Sequence, residues 1–267
     1  MTDHIGNGLS AGVLTLTLNR PEKKNALTRA MYQALGEGID GAGHNSDVRC
    51  ILIQAEGDVF TAGNDLGDFA TANRGEPGDA PRGGGNPLLV ALARATTPIV
   101  AAVNGRAVGV GTTMLLHCDL VFVSEDALLT TPFVNLALVP EAASSLTLPA
   151  RIGHARAFSM FVLGEAVDAR KAVDWGIANA VCPRAELRAR ARAAADAIAA
   201  RPASAVRLTK ALMRDPAALA ARMTIEGTHF AAQLKSAEAR EAFAAFAEKR
   251  PPDFSRPRVD APDVNRS

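Results

Sequence analysis

The chain has 267 residues, 48% hydrophobic and 21% charged, which suits one large folded domain with at most a small appendage and excludes a disordered chain. Lys plus Arg number 29 against 28 Asp plus Glu; a net charge of +1 argues against a general nucleic-acid or anionic-membrane binder, because it offers little counterion release. Three well-separated cysteines (Cys50, Cys118, Cys182) exclude a disulfide scaffold and argue against structural zinc, and 4% aromatic content argues against a base-stacking platform.

The first ten residues, MTDHIGNGLS, have neither the basic start nor the apolar run of a signal peptide. No stretch reaches the roughly 18 to 20 apolar residues of a membrane-spanning helix, and no internal repeat is present. A cytoplasmic setting is expected. Residues 13–19 (VLTLTLN) alternate in the period of a half-buried strand, which Pro21 ends. Thr28 is placed to cap a helix running to about Asp40, with Met31, Leu35 and Ile39 on one face. Residues 50–54 (CILIQ), 98–103 (PIVAAV), 120–123 and 178–181 read as strands covered on both faces. Helical stretches between them indicate an α/β fold with crossover connections. Residues 70–87, rich in Gly, Pro, Asn and Asp, read as a surface loop. A short helix follows at 88–92. From Pro183 the chain reads as helices only: 185–200, 203–213, 217–234 and 236–249, the last with Phe243 and Phe246 on one face.

Three segments are candidates for chemistry. In FTAGNDLGDF (60–69), Ala62 and Gly63 let backbone approach a ligand closely, and the N–H groups that follow can meet an anion or a polarised carbonyl; an ordinary glycine turn is the alternative. In VNGRAVGVGTTMLLHCDL (103–120), a buried strand runs into Gly105, Gly109 and Gly111 and then an apolar helix. That pattern fits an oxyanion site better than a phosphate cradle, since neither G-x-G-x-x-G nor G-x-x-x-x-G-K-[ST] is present. In TTPFVNLALVPEAASS (130–145), Glu141 is the one carboxylate among small and apolar residues. Such surroundings raise a pKa toward that of a general base, while the alternative is a solvent-facing charge before a helix. Five histidines form no metal-ligand spacing, and His117, Cys118 and Asp119 read as ordinary residues at a helix end. There is no G-x-S-x-G elbow for Ser144 or Ser145. The basic run 184–193 reads as a solvated helix face.

Taken together and in this order, these segments resemble the crotonase superfamily, the enoyl-CoA hydratase/isomerase family. The likeness runs from RPEKKNALT (20–28) to FAEKRPPDF (246–254). It implies an α/β spiral of ββα units over residues 1–200, and a helical oligomerisation region over 201–267 that builds homotrimers or hexamers. By the same resemblance, the backbone N–H groups of Asn64 and Val110 hold the thioester oxygen of an acyl-CoA. Lys24, Asn25, Ala26 and Leu27, with Ala62, Gly63, Asp65 and Leu66, match segments that hold coenzyme A, Lys24 or Lys23 meeting its phosphates. Gly109 and Phe133 line the acyl site. No cofactor beyond the substrate's own coenzyme A, no metal, no nucleic acid and no membrane is expected.

Hydratases of this family carry two glutamates that activate water. Thr113 and Phe133 stand at the matching positions, and neither can act as a carboxylate base. Glu141 instead follows VP, where the enoyl-CoA isomerase branch carries its catalytic acid. The segment is similar to the peroxisomal-type Δ3,Δ2-enoyl-CoA isomerases, and the ring-forming epoxyphenylacetyl-CoA isomerases have aspartate there. A 1,3-proton transfer from C2 to C4 by Glu141 is therefore expected. Hydration, ring isomerisation, dehalogenation and non-catalytic acyl-CoA binding are its rivals; an RNA-associated relative or a dinucleotide oxidoreductase lies further off.

Overall fold

Alternating and continuous apolar runs become the two kinds of strand that the patterns predict. The structure, a computed structural model, describes residues 2–65 and 85–255. Strands β1 (Ile5–Ser10) and β2 (Val13–Leu18) form an antiparallel hairpin; β3 (Cys50–Ala55), β4 (Ile99–Val103), β6 (Leu120–Ser124) and β9 (Ala180–Cys182) extend it in parallel, in the order β1-β2-β3-β4-β6-β9. A second sheet, β5-β7-β8, joins Arg106–Val108, Leu128–Thr130 and Val167–Asp168. The strand β1 was not anticipated. Its sequence, IGNGLS, has little intrinsic strand preference, and pairing with β2 through the left-handed Ala11-Gly12 turn imposes the conformation.

Side chains alternate across the larger sheet, and both faces are covered at β3 and β4, while most of β1 and Val181 of β9 are exposed. Leu14, Leu16, Leu18, Ile51, Ile53, Ala101 and Val103 enter the main core with α1 (Arg29–His44) and α2 (Pro87–Arg94). Val13, Cys50, Leu52, Val100 and Ala102 face the Leu187, Ala191, Ala195 and Ala199 stripe of a helix on the other side. Thr28 caps α1 by accepting from the Met31 N–H at 3.3 Å; the helix runs one turn past the predicted Asp40. Asn86 caps α2, which spans the expected 88–92 and three residues more.

After Gly109 the chain makes a helix of four residues, α3 (Val110–Thr113), then a 3-10 turn, Met114–His117. The apolar helix expected after the glycines is these two short pieces, with every residue from Val110 to His117 buried. Helices α4 (Ser144–Ile152), α5 (His154–Phe158) and α6 (Ala169–Asp174) lead to β9. Four more follow: α7 (Leu187–Ala199), α8 (Ala203–Leu212), α9 (Pro216–Leu234) and α10 (Ala237–Ala247). Of these, α7 covers the sheet, α9 packs on α2 and α4, and α10 on α9 and the turn at Val134–Leu136. Lys210 Nζ sits 2.7 Å from Asp119 and donates to the Thr97 carbonyl at 2.9 Å, in a nearly closed site. Phe243 packs against the main core, whereas Phe246 is 60% exposed, so the two do not share one buried face.

Candidate active site

Backbone bonds join residues 20–28 to the segment at 60–69, and that segment to the one at 103–120. Leu27 and Asn64 form a parallel bridge, with the Leu27 N–H donating to the Gly63 carbonyl at 2.7 Å and the Asp65 N–H to the Leu27 carbonyl at 3.0 Å. Thr61 and Ala107 form a second bridge, through Thr61 N–H to the Arg106 carbonyl and Val108 N–H to the Thr61 carbonyl. The Asn64 loop and the Val110 turn are thereby held side by side.

Two glycines make that approach possible. A Cβ at Gly63 (φ 88°) would lie 2.7 Å from the Val108 carbonyl oxygen, and one at Gly111 would overlap the Thr61 methyl. Thr61 locks the crossing: its hydroxyl donates to the Asn25 carbonyl at 2.7 Å and accepts from the Gly63 N–H at 3.0 Å. Among the described residues no acceptor is recorded for the Asn64 or the Val110 N–H. Val110 is the first residue of α3, where a helix leaves its N–H groups open. Two backbone donors on adjoining turns, without acceptors among the described residues, are the makings of an oxyanion site.

The neighbouring side chains support this frame. Asn25 is fully buried; it accepts from the Arg20 N–H and donates to the Glu56 and Val59 carbonyls, so its side chain serves the loop itself. Arg20 binds the Ala26 carbonyl at 3.0 Å and pairs with Asp65 at 2.6 Å, and the Tyr32 hydroxyl donates to the Asn64 side chain. Lys24 and Lys23 are exposed beside this loop, Ala26 and Ala62 are half-buried, and Leu66 lies outside the described residues.

Glu141 is half-buried, not a solvent-facing helix charge. The Thr113 hydroxyl donates to its carboxylate at 2.5 Å. Burial pushes its pKa up to about 7, the Thr113 bond opposes that, and the negative charge of Glu226 adds to it. Thr113 thus has a role that its inability to act as a base concealed. Phe133 is buried against Phe161, centroids 6.2 Å apart. Gly109 is tied to β7, its N–H donating to the Thr130 carbonyl, which also accepts from Thr112.

The turn after Glu141 is unusual: Ala142 (φ 62°) and Ala143 (φ 54°) are both left-handed, a conformation that costs a residue with a Cβ about 1 kcal/mol or more. His117 Nε2 donates to the Ala142 carbonyl at 2.7 Å, while its Nδ1 faces the Arg214 guanidinium at 3.0 Å. Those partners fix the neutral Nε2–H tautomer, and burial lowers the pKa to about 4. His117 is therefore more than an ordinary helix-end residue. The Ala143 and Ser145 N–H groups donate to the Glu226 carboxylate at 2.6 and 2.9 Å. Sequence reading missed Glu226; its one signal is a carboxylate within the otherwise largely uncharged α9. No cluster of three or more His, Cys, Asp or Glu side chains fit for a metal ion occurs among the described residues.

Comparison with known proteins identifies the family. A sequence model of the enoyl-CoA hydratase/isomerase family matches residues 8–257. The chain is 32% identical over 263 residues to 1,2-epoxyphenylacetyl-CoA isomerase of Escherichia coli strain K12, covering 96% of this chain and 99% of that protein. It is 34% identical over 209 residues to enoyl-CoA delta isomerase 2 of Rattus norvegicus, covering 76% of this chain but about half (52%) of that protein. Its fold is similar to the crystal structure of an enoyl-CoA hydratase/isomerase from Pseudoalteromonas atlantica T6c, with a TM-score of 0.88, 42% identity, and coverage of 95% of this chain and 100% of the other. The chain, with its α/β core, belongs to the enoyl-CoA hydratase/isomerase family of the crotonase superfamily.

Proposed function

We propose that this acyl-CoA enzyme is a Δ3,Δ2-enoyl-CoA isomerase that moves a double bond by a 1,3-proton transfer. The observation that carries the reading is Glu141: one carboxylate, held by Thr113, with a pKa raised to about 7 in an apolar setting. The Asn64 and Val110 N–H groups receive the thioester oxygen, which lowers the barrier to losing a C2 proton. Each such donor is worth roughly 3 to 4 kcal/mol in the transition state. Glu141 takes the C2 proton, the negative charge spreads over a dienolate, and the same carboxyl returns the proton to C4. No other group than the substrate's own coenzyme A takes part. Lys24 meets the coenzyme A phosphates, and residues 25–27, 62–63 and 65–66 flank the pantetheine. Buried Phe133 keeps water from the place where a hydratase holds it. The enzyme works as a homotrimer or as a pair of trimers.

The test is incubation with a 3-enoyl-CoA and, separately, a 2-enoyl-CoA in deuterated water, with products followed by chromatography and mass spectrometry. The expected result is conversion of the 3-enoyl to the 2-enoyl thioester with little hydroxyacyl product. Glu141→Gln should lower kcat by ~10² to 10⁴ with KM little changed. Rapid hydration, or full turnover by Glu141→Gln, overturns the reading. Similarity to a 1,2-epoxyphenylacetyl-CoA isomerase favours ring isomerisation as the second reading, and an epoxide-bearing aryl-acyl-CoA is the substrate that tests it.

A further inference from the structure

We propose that Glu226, on α9, is a positioning residue for Glu141: its carboxylate clamps the left-handed turn that aims the base into the site. This rests on Glu141 being the base.

Three observations carry it. First, the two residues that follow Glu141 are left-handed alanines, and nothing local favours that: neither is Gly or Asn, and α4 begins with no side-chain cap. Second, both oxygens of Glu226 are used on this turn, accepting from the Ala143 N–H at 2.6 Å and the Ser145 N–H at 2.9 Å. A carboxylate accepting two backbone N–H groups at such distances makes strong, charge-assisted bonds and caps α4 from outside. Third, Glu226 is 5% exposed. A buried carboxylate kept without an opposite charge in a direct pair is expensive, and its two N–H donors offset that cost.

The clamp is fixed at its far end as well. The turn's remaining carbonyl, Ala142, accepts from His117, whose other nitrogen faces Arg214. Arg214 stands between α8 and α9, so the C-terminal helices hold both sides of the turn. Glu226 also acts at a distance. Burial is the main cause of the raised Glu141 pKa; the Thr113 bond opposes it, and the charge of Glu226 adds to the rise. The ionisable partner acting on Glu226 from its own helix is Arg222, and the groups reaching it from the start of α4 are the Ser145 side chain and the Ser145 and Ala143 amides.

The experiment compares Glu226→Gln, Glu226→Asp and Glu141→Gln with the parent, using a 3-enoyl-CoA and measuring kcat, KM, the pH profile of kcat and the melting temperature. A glutamine can accept with one oxygen but turns an N–H₂ toward the other donor; an aspartate keeps the charge but is one methylene short. Both should lower kcat by roughly a hundredfold while KM stays within about threefold, since the base is misplaced rather than the binding site. The acid limb of kcat should move to lower pH in Glu226→Gln and stay near the parental position in Glu226→Asp. A role in stability alone would lower the melting temperature and leave kcat and its pH profile unchanged, and that overturns the proposal. If Glu226→Gln does not fold, the kcat of Glu226→Asp decides: a parental value overturns it. Full turnover by Glu141→Gln means that the base itself is wrong. Loss of turnover there with parental behaviour of the Glu226 variants removes the clamp alone.

Discussion

At Glu141, the proposed base, the burial that raises the carboxylate's pKa also works against folding. Its pKa is about 7 in the folded protein against an ordinary 4.5. Between those pH values the folded chain keeps a proton that the unfolded chain has released, so stability falls as pH rises from about 4.5 to about 7 and stays lower above. Turnover runs the other way, because the base must be ionised: kcat should rise with pH through about 7. Glu141→Gln should therefore be more stable than the parent at pH 8, by on the order of 1 kcal/mol once solvent at a half-buried group is allowed for. The gain should vanish toward pH 4.5 in thermal melts. An equal melting temperature at pH 8 would show that the carboxylate is not costly to bury. The residue types at this site were readable in the sequence; the Thr113 bond was not, because 28 residues separate its partners.

Among the elements, the crossing of the Asn64 loop and the Val110 turn decides whether the two proposed donors meet. It depends on Gly63 and Gly111 having no side chain, and on Thr61 between them. Gly111→Ala places a methyl on the Thr61 side chain and should push the loops apart. The expected effect is a loss of roughly 1 to 3 kcal/mol in stability, and kcat lower by about a hundredfold. Parental kcat in Gly111→Ala would mean that the donors do not depend on this contact. The strand pattern was legible here because both faces of β3 and β4 are buried, so their apolar runs are continuous. The hairpin strand β1 was not, since its residues carry little preference and its partner imposes the shape. Glycine spacing pointed to the turn at Val110, but the four-residue length of α3 follows from packing.

The whole molecule leaves an apolar face on its C-terminal helices. Leu208, Leu212 and Met213 are 66%, 89% and 79% exposed, while Lys210 on the same helix is buried against Asp119. A helix pinned by one face and apolar on the other suits a neighbouring copy of the chain. Sedimentation should give a trimer or hexamer, and Leu212→Glu with Met213→Glu should shift it toward monomer with the fold intact. A monomeric parent at micromolar concentration would contradict that assembly.

The sequence by itself determined the α/β class, the order of the buried strands, the helical C-terminal region and the family, because these follow from apolar period and from short motifs of neighbouring residues. It also marked Glu141, through its lack of charged neighbours. Only the tertiary structure decided what holds that carboxylate in place: Thr113 and His117 reach the same turn from one segment and Glu226 from another, the last 83 residues from Ala143. Contacts of that separation leave no period or spacing in a single sequence. They arise when the sheet and the C-terminal helices close on one another, and buried polar groups then find the partners that water no longer supplies.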